Sequence, residues 1–368
     1  MRKILFGVIS ALFLFASLQA PAHAQVISVE LVERPHQLLT EEFFDDELAT
    51  ALAPAGRLGS LVFSPIVSGA TWYIDGAFLD EVAAMANGYE LANGEDGVGV
   101  DVARLWLEQL RIATAGAKIV PLAYGNPDLS LATTLAPSEL TFYYQFGQAR
   151  VAFHLGREIS PENIMWKSKS ANLASLLRKN YTKNRQAVAK LVTVVAADEL
   201  QLFRARLATL LSPSLKGELR KKFADSAVDG VAAQNNKLRV NSGRYSLTSE
   251  KVDVPLTLVN EFSTEVKVNL IFRTSNVRVL VDDIGEITLA PNSRTQLSVP
   301  FTVIASGTTN VSAILKNEKG RWLGPSSRLS LRMTIIDPRV AWFTTGAAVL
   351  LFAGALGQTY RRIRRRRK

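Results

Sequence analysis

Asp75 and Asp128 each follow a short apolar run, Thr71 to Ile74 and Lys118 to Tyr124. Two carboxylates at one cleft can hydrolyse a glycosidic bond, one as acid and the other as base or nucleophile. Tyr124 and Asn126 add a hydroxyl and an amide suited to sugar hydroxyls. In a parallel sheet the carboxyl ends of strands face one crevice, which would bring both aspartates together. Asp75 equally suits the N-cap of a helix opening at Gly76-Ala77, and Asn126-Pro127-Asp128 equally suits a turn. A glycosidase-like hydrolase and a protein without catalysis therefore both remain open, the second favoured by the thin catalytic set. Metal donors are sparse: beyond His23 in the leader, the histidines are His36 and His154, and there is no cysteine. No zinc-binding spacing, no Gly-rich phosphate loop and no GxSxG elbow occurs, so neither a metal nor a cofactor is expected.

The elements that would position these groups follow from periodicity. Leu61-Val62-Phe63 and Thr71 to Ile74 have strand character. Phe78, Leu79, Val82 and Met85 recur at helical spacing, as do Leu105, Trp106 and Leu110 over 102–114. Lys118 to Tyr124 reads as another buried strand, giving a partial βα domain, a barrel-like remnant, over 25–156. Residues 157–236 read as helical, with Val188, Leu191, Val192, Val195, Leu200, Phe203, Leu207 and Leu210 on one face. Lys167, Lys169, Arg178, Lys179, Lys183 and Arg185 lie opposite as a solvated face, or as a contact for an anionic polymer. These helices suit a coil or bundle spacing the flanking domains. Between 237 and 337 a period of two recurs in Val252-Val254-Leu256-Leu258, Val266-Val268-Leu270-Phe272, Leu297-Val299-Phe301-Val303 and Leu329-Leu331-Met333-Ile335. Such short strands, divided by turn residues, predict an antiparallel immunoglobulin-like β-sandwich. Pro255 and Pro300 should fall where a ladder needs no donor.

The two ends predict export and anchoring. Arg2 and Lys3, the apolar stretch Ile4 to Leu18 and Ala22-His23-Ala24 form a signal peptide over 1–24. Val340 to Gln358 is uncharged and about 19 residues long, enough for a transmembrane helix over 338–360. Arg361, Arg362, Arg364, Arg365, Arg366, Arg367 and Lys368 (361–368) would hold the C-terminus in the cytoplasm. The fold class expected is thus multidomain, α/β plus α plus all-β with a C-terminal span. The location expected is the cell membrane, single-pass, with the N-terminal part extracytoplasmic.

The formal charge of +10 is deceptive, because the tail carries seven of those charges and the leader two. The remainder is near neutral, which predicts no basic face and no nucleic acid partner. Without cysteine an exported chain must be held by its core.

Several motifs carry a resemblance: AGRLGSLV at 55–62, WYIDGAFLDE at 72–81, NGYE at 87–90, WLEQL at 106–110 and VPLAYGNPDL at 120–129. With RYSLTSEKVDVPLTLVN at 244–260 and VKVNLIF at 266–272, the chain resembles an uncharacterised family of actinobacterial envelope proteins. That family is exported, anchored by one C-terminal span and often encoded beside the lipid II flippase. The resemblance implies a binding or scaffolding role in cell-wall assembly, with an envelope protein or cell-wall polymer as partner. It also keeps in view an accessory subunit of a lipid-linked precursor transporter. Beside that family the chain looks like an abridged version, with Asp75-Gly76 where the family has Asp-Pro and with one acidic residue fewer around Tyr124 to Asp128.

Overall fold

The computed structural model describes residues 28–64, 69–162, 164–165, 173–334 and 338–365. The signal peptide expected over 1–24 lies outside them, as do Lys167, Lys169, Arg366, Arg367 and Lys368.

The first region opens with β1 (Ser28–Leu31), α1 (Glu47–Leu52), α2 (Gly59–Phe63) and β2 (Thr71–Ile74). There follow α3 (Gly76–Ala86), α4 (Val100–Ala113), β3 (Lys118–Pro121), α5 (Leu129–Leu135) and α6 (Leu140–Leu155). The three strands pair in parallel in the order β1-β2-β3. Trp72 and Ile74 are buried between helices that supply Phe78, Val82, Trp106 and Leu110. Leu61-Val62-Phe63, expected as a strand, is helix α2. Val62 packs into the same core, and the neighbouring Leu58 carbonyl accepts the Trp106 Nε1–H at 3.1 Å, so tertiary packing overrides a weak strand preference.

The middle helices α7 (Ser175–Leu191), α8 (Asp198–Arg206) and α9 (Gly217–Asn236) are not a spacer. Val188, Leu191, Phe203, Leu210 and Phe223 share one buried cluster with Leu238, Leu256 and Leu270. Polar ties reinforce the junction: Asn317 Nδ2 donates to Thr193 Oγ1 at 2.8 Å, and Ser263 Oγ donates to Glu199 at 3.0 Å.

The last region contains β4 (Leu238–Val240), β5 (Gly243–Leu247), β6 (Lys251–Asn260), β7 (Val266–Thr274), β8 (Val279–Val281), β9 (Ile284–Leu289), β10 (Ser293–Val303), β11 (Gly307–Lys316) and β12 (Trp322–Met333). They form an immunoglobulin-like sandwich of two sheets, β4-β6-β10-β8 and β5-β12-β11-β7-β9. Val254, Leu256, Leu258, Val299 and Phe301 from one sheet meet Val268, Leu270, Val311, Leu329 and Leu331 from the other. The alternation that buries these leaves their strand neighbours on the outer faces. Pro255 and Pro300 both sit in the central β6–β10 ladder. Each lies where the flanking strand has run out, since β4 reaches only Leu258 and β8 only Phe301.

Helix α10 (Pro338–Arg365) corrects the largest expectation. Among the described residues no helix is long and apolar enough to cross a membrane. Helix α10 runs on through Arg361, Arg362, Arg364 and Arg365. The transmembrane part of the expected fold class is therefore overturned. With it go the single-span envelope function, the membrane as partner, the basic residues as topology determinants and the single-pass location.

Candidate functional site

The four predicted site residues lie in the chain that follows β2 and β3, and the two aspartates hold backbone. Asp75 Oδ1 accepts from the Ala77 amide at 3.0 Å, capping α3, and from the Gly125 amide at 2.8 Å. Asp128 Oδ1 accepts from the Leu131 amide at 2.9 Å and Ser130 Oγ at 2.6 Å, capping α5. Both aspartates are buried. Tyr124 is buried and donates its hydroxyl to Asp80 Oδ2 at 2.9 Å. Asn126 is buried in a left-handed turn at φ 40°. The carboxylates thus pin the loops that follow the strands to the helices behind them.

Burial pushes the Asp75 carboxyl up to about 7, against the two amides that pull it down, with Glu81 and Asp80 adding to the rise. The folded chain then holds a proton that the unfolded chain loses near pH 4. Stability from this group is complete below pH 4, falls as pH rises toward 7 and is level above. In Asp75→Asn, which keeps the acceptor oxygen, urea midpoints between pH 4 and 7 should flatten, with a gain on the order of a few kcal/mol above pH 7. Parallel profiles for the two proteins would show that Asp75 does not carry the slope.

Beside it lies Asp80, part of the 72–81 motif but not among the predicted site residues. Its Oδ1 accepts from Arg150 Nε at 2.8 Å and Nη2 at 2.6 Å and lies 2.6 Å from His154 Nε2. Helix α6, which brings Arg150 and His154, lies flush on the β3 loop because Gly147 has no side chain. A Cβ there would stand 2.2 Å from the Leu122 carbonyl oxygen. Both oxygens of Asp80 are occupied, so this cluster is an internal tie. Among the described residues no group of three His, Asp or Glu side chains converges on a metal position.

A different surface has free binding capacity. On the outer face of the five-stranded sheet, cross-strand register brings arginines together in three successive rungs. Ser246, Arg332 and Thr308 form one rung, Arg244, Ser330 and Asn310 the next, and Arg328, Ser312 and Arg273 the third. Rungs two residues apart are separated by about 6.8 Å, so four guanidinium groups lie within a patch about 14 Å long. All four arginines are exposed. None of them is in an ion pair among the described residues, in contrast to Arg34, Arg150 and Arg204. Arg244, Arg332, Ser275, Thr308, Asn310 and Ser330 line part of a cavity of about 380 Å³.

This corrects the expectation of no basic face. Near-neutral totals hide segregation, because strand alternation places Arg328, Ser330 and Arg332 on one side and Leu329, Leu331 and Met333 on the other. Acidic residues gather elsewhere: Glu41, Glu42, Glu90 and Asp96 line a cavity of about 590 Å³ beside α3. The basic helical face weighed in the sequence is partly occupied, since Arg185 approaches Glu139 at 3.5 Å and Arg178 Nε donates to the Leu173 carbonyl at 2.7 Å.

An α/β layer, a helical junction and an immunoglobulin-like sandwich with a basic sheet face define the class of this protein. Residues 152–368, more than half of the chain, match the model described as a family of unknown function, DUF6049, and the chain belongs to that family. The match begins within α6 and takes in the helices and the sandwich. No curated protein matches the chain. Among solved structures it is similar to WR4, a Caenorhabditis elegans MSP family member, at 8% identity and TM-score 0.22, over 27% of this chain and 98% of that one. It is also similar to Escherichia coli alpha-2-macroglobulin from domain MG7 to the C-terminus, at 16% identity and TM-score 0.22, over 27% of this chain and 16% of that one. The ASH/PapD-like domain 7 of human CEP192 matches at 14% identity and TM-score 0.21, over 27% of this chain and 87% of that domain.

Proposed function

We propose that this protein is a binding module for polyanions, with the outer face of the β5-β12-β11-β7 sheet as its binding surface. The observation that carries the reading is the set of four exposed arginines, Arg244, Arg273, Arg328 and Arg332, none of them in an ion pair with a carboxylate among the described residues. Two such charges about 7 Å apart repel by about 0.6 kcal/mol in water, a cost small enough for a fold to tolerate. An anionic ligand converts each repulsion into attraction. The guanidinium fork takes phosphate or carboxylate oxygens two at a time. Ser246, Thr308, Asn310, Ser312 and Ser330 supply neutral donors between the arginines. Binding rather than catalysis is favoured because Asp75, Asp128 and Asp80 are occupied by caps and ion pairs.

The test is titration with inorganic polyphosphate across a series of salt concentrations. Log affinity should fall linearly with log salt, because contacts to charged groups release bound counterions. Absence of binding at low salt, or affinity independent of salt, would refute the reading.

A further inference from the structure

Resting on the polyanion reading, we infer that the ligand is an acidic sugar polymer lying along β12, with one of its rings stacked on Trp322. Trp322 is 51% exposed and stands on the same outer face as Ser326, Arg328, Ser330 and Arg332, since Leu323, Ser327, Leu329 and Leu331 are buried between them. Across the β11–β12 ladder Trp322 pairs with Lys316 and Arg332 with Thr308, eight residues of β11 apart, a track of about 27 Å with a register shift between Ala313 and Leu315. The Arg273 guanidinium lies 5.8 Å from the Trp322 ring centre and joins the ring to the arginine rungs. Trp322 also lines a cavity of about 400 Å³ together with Lys190, Asn235, Asn236 and Pro325. Gly324 shapes this corner: its φ is +61°, and a Cβ would stand 2.6 Å from the Leu238 carbonyl oxygen.

An exposed indole presents a flat electron-rich face, which suits the C–H face of a pyranose ring. Amide and ammonium groups beside it are the hydrogen-bond partners that ring hydroxyls require. Single-stranded nucleic acid fits less well, because it is held by aromatic side chains stacking successive bases. Trp322 is the exposed aromatic side chain on this track among the described residues.

The test compares three probes of matched charge with the full chain by calorimetry at one salt concentration: oligogalacturonate, polyglutamate and oligo-dT. Wild-type protein should bind oligogalacturonate about ten-fold more tightly than polyglutamate. Trp322→Ala should remove that preference and leave polyglutamate binding intact, whereas Trp322→Phe should retain most of it. Equal affinity for the two acids, or a loss in Trp322→Ala shared equally by both, would overturn the sugar assignment and leave the polyanion reading standing. Tightest binding of oligo-dT would overturn it in favour of nucleic acid. Failure of all three probes to bind would refute the polyanion reading itself.

Discussion

Charge reversal at Arg244 and Arg332 together is expected to lower affinity for polyphosphate by about 100-fold or more at low salt and to reduce the salt slope. The two residues lie on neighbouring rungs, paired with Ser330 and Ser246 across the β5–β12 ladder. Each reversal removes an attraction and places a carboxylate where the ligand's charge would sit. Both side chains are exposed, so folding should be nearly unaffected, within about 0.5 kcal/mol. Calorimetric titration beside a urea unfolding curve separates the two effects. A double variant that binds as wild type would exclude this face.

Asp80→Ala should cost about 3–5 kcal/mol of stability, a large share of the ~5–15 kcal/mol that holds a typical domain. The carboxylate receives Arg150 through two nitrogens, His154 through Nε2 and the Tyr124 hydroxyl. Its side chain is 10% exposed and that of His154 is 5% exposed, so water cannot replace it readily. Truncation leaves a guanidinium and a buried hydroxyl without their acceptor, and the loss exceeds the net worth of the pair. Asp80→Asn, which preserves shape and one acceptor oxygen, should fall between. The measurement is the urea midpoint at constant slope. A change below about 1 kcal/mol for Asp80→Ala would show that the network contributes little.

Local patterning made much of the framework legible. Phe78, Leu79, Val82 and Met85 mark α3, and alternation in 252–258, 266–272 and 329–333 marks β6, β7 and β12. Asp75 before a helical run carried its capping signal in plain view, and the structure places its carboxylate on the Ala77 amide. Pairing over long separations was not legible. Arg244 and Arg332 become neighbours because β5 adds in parallel to β12, a contact between residues far apart in the chain. Asp80 was equally hidden, since its partners Arg150 and His154 arrive on a helix some seventy residues later. The alternation of Arg328, Ser330 and Arg332 was in the sequence, but whole-chain charge obscured it. The C-terminal apolar run misled in the opposite sense: composition suggested a span, and no helix among the described residues is long and apolar enough to be one.

Arginine-specific labelling with a dicarbonyl reagent, read by mass spectrometry with and without polyphosphate, tests the central claim most directly. Arg244, Arg273, Arg328 and Arg332 should be shielded by the ligand. Arg294 on the opposite sheet and Arg104 on α4, both exposed, should label equally in either condition. Protection of Arg294 or Arg104 in place of those four, or no protection under saturating ligand, would contradict the assignment of the binding face.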